Sequence, residues 1–135
     1  MKIKKIEHIG IAVKDLKKTI EFYESVLGLK CYKIEEVKDQ KVKTAFLKVG
    51  ETKIELLETT DNDGPIGKFI EKKGEGLHHI AYSVEGLNSS LNEISNQQIK
   101  LIDEKPKQGA DNLDIAFIHP KSANGVLIEL CEERK

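Results

Sequence analysis

Two histidines and two glutamates recur at matched places in this chain. His8-Ile9 returns 71 residues later as His79-Ile80, and Ile54-Glu55-Leu56 returns 74 residues later as Ile128-Glu129-Leu130. On strands with period-two alternation, His8 shares a face with Gly10 and Ala12, and His79 shares one with Ala81 and Ser83. Both imidazoles therefore point toward small residues that leave room for something else. A carboxylate in the middle of a stretch such as Val126-Leu127-Ile128-Glu129-Leu130 is costly unless it is paired or bound to a cation. Taken singly, a strand histidine is more often a hydrogen-bonded structural residue than a ligand, and a strand glutamate usually faces solvent. The recurrence of both types at matched positions argues otherwise. If the repeat is a structural duplication, matched strands meet about a pseudo-twofold axis, and His8, Glu55, His79 and Glu129 converge on one centre. Two imidazoles and two carboxylates suit one divalent metal ion per chain, Co, Ni, Mn or Zn. An octahedral shell with four such ligands leaves two positions for substrate.

The elements that must position these residues follow the same repeat. Val13 falls on Val84, Leu16 on Leu87, Ile20 on Leu91, and Ala45-Phe46-Leu47 on Ala116-Phe117-Ile118. The extra residues of the second half fit in the turn from His119 to Gly125. The first half predicts a strand over 5–13, then a helix capped by Asp15 with a stripe of Leu16, Ile20, Tyr23 and Leu27 that stops at Gly28. Strands over 29–37, 42–49 and 53–58 follow, with Gly50 in a turn. The second half predicts a strand over 77–84, a helix over about 87–96, and strands near 99–103, 113–119 and 125–131. Between the halves, Gly64-Pro65 opens a short helix over 66–73, ended by Gly74, with Ile66, Phe69 and Ile70 as its apolar stripe. The expected fold is α+β: two β-α-β-β-β modules in pseudo-twofold repeat, forming a partly open mixed sheet. One domain spans 1–135, with a first module at 3–60, a helical linker at 61–75 and a second module at 76–132. His78 points away from His79 and reads as a packing residue or a support for the site. His119, before Pro120, reads as structural, and Tyr23, Tyr32 and Tyr82 as core or rim aromatics.

Composition narrows the function classes. With 135 residues the chain is long enough for one domain with a real core. Hydrophobic residues at 39% and charged residues at 33% describe a globular protein. Twenty-two basic against 23 acidic residues give a formal charge of -1, which excludes bulk electrostatic attraction to nucleic acid. The one arginine is Arg134, so bidentate clamps on phosphate or carboxylate groups are nearly absent. No uncharged apolar run approaches the roughly 20 residues of a membrane helix, and the basic opening Met1–Ile6 leads into no apolar stretch of the signal-peptide kind. Cys31 and Cys131 read as reduced core thiols of a cytoplasmic protein.

These segments resemble the vicinal oxygen chelate superfamily, which contains glyoxalases and bleomycin resistance proteins, and within it the methylmalonyl-CoA epimerases. The resemblance covers essentially the whole chain. It is carried by Glu7-His8-Ile9-Gly10-Ile11-Ala12-Val13, Thr52-Lys53-Ile54-Glu55-Leu56-Leu57 and Gly76-Leu77-His78-His79-Ile80-Ala81. Most of all it rests on Ile115-Ala116-Phe117-Ile118-His119-Pro120-Lys121-Ser122 running into Gly125-Val126-Leu127-Ile128-Glu129-Leu130. The resemblance implies metal ligands at His8, Glu55, His79 and Glu129, a small-molecule acyl-CoA substrate, no nucleic-acid or membrane partner, and a homodimer. It implies epimerisation of methylmalonyl-CoA through a metal-stabilised enolate, with Glu129 as the first choice of base and Glu55 as the other catalytic carboxylate. Some epimerases of this family carry a further carboxylate on the strand matching 42–47, and this sequence has Thr44 there. The alternative is lactoylglutathione lyase, with the same fold and the same His-Glu-His-Glu set. That family commonly grips glutathione carboxylates with arginines, which this chain lacks apart from Arg134. A metal-free binding module of the same fold would have no need of all four ligands.

Overall fold

A computed structural model describes all residues from Met1 to Lys135. The chain divides into two compact units, one of Ile9–His78 and one of Met1–His8 with His79–Lys135. Strand β1 (Lys2–Ala12) contributes to both.

In the Ile9–His78 unit, β1 leads into α1 (Leu16–Ser25), β2 (Cys31–Val37), β3 (Val42–Val49), β4 (Thr52–Thr59) and α2 (Pro65–Lys73). The strands lie in the order β2-β3-β4-β1, and β3 runs antiparallel to both β2 and β4. Asp15 caps α1 as expected: its backbone is extended and its carboxylate accepts the Lys18 N–H at 3.1 Å. The helix ends before Gly28 is reached, and Leu27 is exposed rather than part of the stripe. Two bonds draw the chain away from the helix axis there. The Leu29 N–H donates to the Tyr23 carbonyl at 3.1 Å, and the Cys31 N–H to the Glu24 carboxylate at 3.0 Å. Gly28 supplies the left-handed residue (φ +70) that this reversal requires. Val13, Leu16, Ala45, Leu47 and Leu56 form one buried cluster. Ala12, Val42, Leu57 and Ile66 form another, and the α2 residues Phe69 and Ile70 pack against it.

The second unit adds β5 (Gly76–Glu85), α3 (Leu87–Ser95), β6 (Lys107–Gln108), β7 (Leu113–Ile118) and β8 (Ile128–Glu133), in the order β1-β5-β8-β7-β6. β5 and β8 are parallel, whereas β7 runs antiparallel to β8 and to β6. The fold is thus α+β with mixed strands, as the repeat predicts. Its core gathers Val84, Leu87, Leu91, Ile94, Ala116 and Leu130. Two expected strands differ. No strand forms over 99–103. Leu101 makes one isolated bridge to Ile118, and the Asp103 carboxylate accepts the Phe117 N–H at 2.9 Å, so a side chain takes the place of a ladder carbonyl. β8 begins at Ile128 rather than 125 because Asn124 (φ 57) and Gly125 (φ 84) turn the chain, with the Gly125 N–H on the Pro120 carbonyl at 2.9 Å. Both cysteines are free; Cys131 is buried, but Cys31 is only half-buried and so is not a core thiol. No helix is long and apolar enough to cross a membrane.

The repeat also caps its helices in a way that was not expected. α3 follows Gly86, which has no side chain to offer and sits at φ +76. Glu132 of β8 supplies the missing acceptor, taking the N–H groups of Gly86 at 2.7 Å and Leu87 at 3.1 Å. In the other unit, Glu58 of β4 takes the Leu16 N–H at 2.8 Å. Each capping carboxylate follows a repeated glutamate, Glu55 or Glu129, by three residues. Negative charge at a helix N-terminus is favourable in its own right.

The bonds from the Leu87 and Gly86 N–H groups hold the Glu132 carboxyl below the usual carboxylate range, against the opposing pull of burial. A depressed carboxylate contributes stability that is full above its unfolded pKa of about 4.3 and fades as pH falls through the lower folded value. Glu132→Gln is expected to cost about 1 kcal/mol at neutral pH. Urea unfolding at neutral pH and below pH 4 checks this. The gap between wild type and variant should shrink on acidification, and a gap that widens contradicts the capping role.

Candidate metal centre

β1 and β5 each bring an imidazole, and β8 brings a carboxylate. The parallel pairing of β5 with β8 sets Ala81 beside Glu129, and the antiparallel pairing of β7 with β8 sets Phe117 on its other side. Glu129 therefore emerges between a methyl group and a benzyl group. His8, His79 and Glu129 are all buried. Their polar atoms nonetheless meet. His8 Nε2 lies 3.1 Å from His79 Nε2, and the Glu129 oxygens lie 3.3 Å from each, Oε2 facing His8 and Oε1 facing His79. The two rings meet edge to face, with centroids 5.2 Å apart at 89°. Phe117 braces His79 from the side, also edge-on, at 5.6 Å.

Burial pushes the Glu129 carboxyl up. The charge of His8 and the close approach of both imidazoles pull it down further, so it is held well below the ordinary carboxylate range. Its Oε2 is nevertheless buried with no hydrogen-bond partner. An orphaned buried acceptor costs about 1–3 kcal/mol, and two Nε2 atoms facing each other can share only one proton. A cation removes both difficulties. Ligand atoms about 2.1 Å from one ion and at right angles to each other stand roughly 3.0 Å apart, close to the separations of 3.1 and 3.3 Å here. Two imidazoles and a carboxylate fit a divalent first-row metal in donor type as well, and these three residues form a cluster able to hold one.

The other residues singled out in the sequence are described here within their own elements. Glu55 is buried on β4 in the Ile9–His78 unit, opposite Phe46 of β3, and is not a member of the three-residue cluster. Thr44 is buried, and its hydroxyl donates to the Glu35 carbonyl at 3.0 Å, which ties β3 to β2. The His78 ring packs edge-on against Phe69 at 4.9 Å. His119 Nδ1 accepts the Lys121 N–H at 3.0 Å and caps a short 3-10 turn. Two residues were not anticipated. Glu7 is buried beside His8, and its position in the interior of a strand, adjacent to a repeated histidine, was the available signal. Phe117 braces His79; its repeat mate Phe46 stands opposite the other repeated glutamate, Glu55.

The model of the glyoxalase/bleomycin resistance protein/dioxygenase superfamily matches residues 7–117. A Bacillus subtilis (strain 168) protein named uncharacterized protein YqjC is 48% identical over 130 residues, covering 96% of this chain and 93% of that one. The mitochondrial methylmalonyl-CoA epimerase of Homo sapiens is 35% identical over 127 residues, covering 93% of this chain and 72% of the human one. The solved structure of a single-residue variant of Streptomyces coelicolor methylmalonyl-CoA epimerase, in complex with 2-nitronate-propionyl-CoA, is similar at a TM-score of 0.94. Its sequence identity is 35%, covering 98% of this chain and 96% of that one.

Chelator-treated protein should gain thermal stability when one of Co, Ni, Mn or Zn is added. The gain expected at a hundredfold excess over the dissociation constant is about 2.7 kcal/mol. His79→Ala should lose both the shift and the stoichiometric metal. Calorimetry with elemental analysis reads both, and equal metal content in wild type and variant would locate the site elsewhere.

Proposed function

The chain belongs to the glyoxalase/bleomycin resistance protein/dioxygenase superfamily, and from that premise we propose that it is a divalent-metal-dependent epimerase of methylmalonyl-CoA. One observation carries this reading: the buried cluster of His8, His79 and Glu129, in a chain similar to methylmalonyl-CoA epimerases over nearly its whole length. The working form is read as a cytoplasmic homodimer that takes a small-molecule acyl-CoA.

The α-carbon of methylmalonyl-CoA lies between a carboxylate and a thioester, so its hydrogen is acidic and its removal leaves an enolate. His8, His79 and Glu129 would hold a divalent ion, with Glu55 the candidate fourth ligand, and the ion would supply Lewis acidity toward the substrate oxygens. The chain's own residues move the proton. Glu129 is held ionised by the two imidazoles, and the ionised carboxylate is the form that accepts a hydrogen. Glu129 takes the α-hydrogen on one face, and Glu55 is the candidate to return one on the other. Thr44 does not fill that second role, since its hydroxyl is spent on the Glu35 carbonyl. Recognition of glutathione carboxylates by arginine is disfavoured as well. Arg134 Nη1 donates to the Leu113 carbonyl at 3.0 Å and stands 3.8 Å from Asp114.

The metal-loaded protein is expected to interconvert the two epimers of methylmalonyl-CoA and to act poorly on the hemithioacetal of methylglyoxal and glutathione. Efficient lactoylglutathione formation without epimerisation would overturn the assignment. Glu129→Gln, checked to be metal-loaded, should slow α-hydrogen exchange in deuterated water by about 10²–10⁴, or roughly 3–5 kcal/mol of barrier. Exchange of both epimers within about tenfold of wild type would leave Glu129 a ligand without a proton-carrying role.

A further inference from the structure

Glu7 lies in the interior of β1 and is 5% exposed. A carboxylate at that depth is costly unless its oxygens are used. Its Oε1 stands 2.7 Å from Nδ1 of His8, itself 2% exposed. That is the short spacing of a hydrogen bond to a charged acceptor. With Glu7 ionised its carboxylate only accepts, and the hydrogen in this bond then belongs to Nδ1. In the neutral ring the lone pair then lies on Nε2, the nitrogen turned toward His79 and Glu129. Nδ1 and Nε2 are on opposite sides of the imidazole, so one contact sets both the tautomer and the direction in which the lone pair points.

The repeat does not copy this arrangement. The residue before His79 is His78, whose ring is turned to Phe69. The His79 ring is braced instead by the edge-on contact with Phe117. The two imidazoles are therefore supported by different means, a buried carboxylate for one and an aromatic ring for the other.

We propose that Glu7 is the positioning residue of His8: it holds the proton on Nδ1, orients the ring and, on the metal-site reading above, strengthens the grip on a divalent ion. Supports of this kind typically change metal affinity by about 10–100-fold when removed.

Two measurements test it. Long-range 1H–15N spectra of the metal-free protein, at a pH where the ring is neutral, should show His8 protonated on Nδ1 in wild type. They should show a mixture, or the Nε2–H form, in Glu7→Ala. A wild-type His8 protonated on Nε2 overturns the proposal whatever the metal does. Chelator competition with cobalt(II) should then give about 10–100-fold weaker binding for Glu7→Ala. Binding by Glu7→Gln, which keeps an acceptor oxygen without its charge, should fall between the two. Affinities equal to wild type in both variants overturn the proposal. A wild type that binds no cobalt defeats the metal reading alone, and the tautomer spectra still decide the role of Glu7. If Glu7→Ala does not fold, as far-UV circular dichroism would show, Glu7→Gln carries both measurements with the same criteria.

Discussion

Three polar side chains, His8, His79 and Glu129, are kept away from water with their facing atoms no more than 3.3 Å apart. Everything near them answers to that constraint. Two nitrogens and a carboxylate at this spacing would be better hydrated or separated, and strand pairing prevents both. Ala81 and Phe117 flank Glu129 through backbone register, so the polar groups its carboxylate meets are the imidazoles of His8 and His79. The charges that gather there are compensated locally, by imidazoles on one side and by the carboxylate of Glu7 behind His8. Side chains already gathered in this way need little reorganisation to take up a cation, which favours tighter binding of one.

Duplication explains how the constraint is met with few residues. A glutamate opposite a phenylalanine on the neighbouring antiparallel strand occurs twice, as Glu55 with Phe46 and as Glu129 with Phe117. Three residues further on, each of these strands carries a second carboxylate that caps a helix: Glu58 of β4 holds the start of α1, and Glu132 of β8 holds the start of α3. One strand thus presents a chemical group and anchors a helix, so a shift of the strand that misplaced the first would also unseat the second. A one-residue slip would move every side chain to the opposite face.

Much of this was legible in the sequence. The repeat and its alternation predicted β3 at its observed span, α2 and α3 to within a residue, and the α+β architecture. They also singled out His8, His79 and Glu129, which the fold brings together. The misses have physical causes. The segment near 99–103 has strand-like composition, but Asp103 bonds the Phe117 N–H through its side chain, which no alternation pattern records. The early end of α1 depends on Glu24 reaching the Cys31 N–H, a contact between a helix and the strand after it. Glu7 was hidden by strand alternation itself: its neighbour His8 was assigned to one face, and Glu7, by default, to the other. Carboxylate caps from a distant strand leave no local motif, because the usual signature is a Ser, Thr, Asp or Asn directly before the helix.

The compact unit that contains His8, His79 and Glu129 joins Met1–His8 to His79–Lys135, and this has a consequence for how the chain is made. Synthesis delivers His8 first, then His79 and then Glu129. Until β8 has emerged from the ribosome, His8 must wait without its carboxylate partner. An ion gripped by these side chains would therefore act as a late clasp. It would close the long loop from His8 to Glu129, a restraint that weighs on the unfolded ensemble, and would hold β1 and β8 against coming apart more than it would hasten their first meeting.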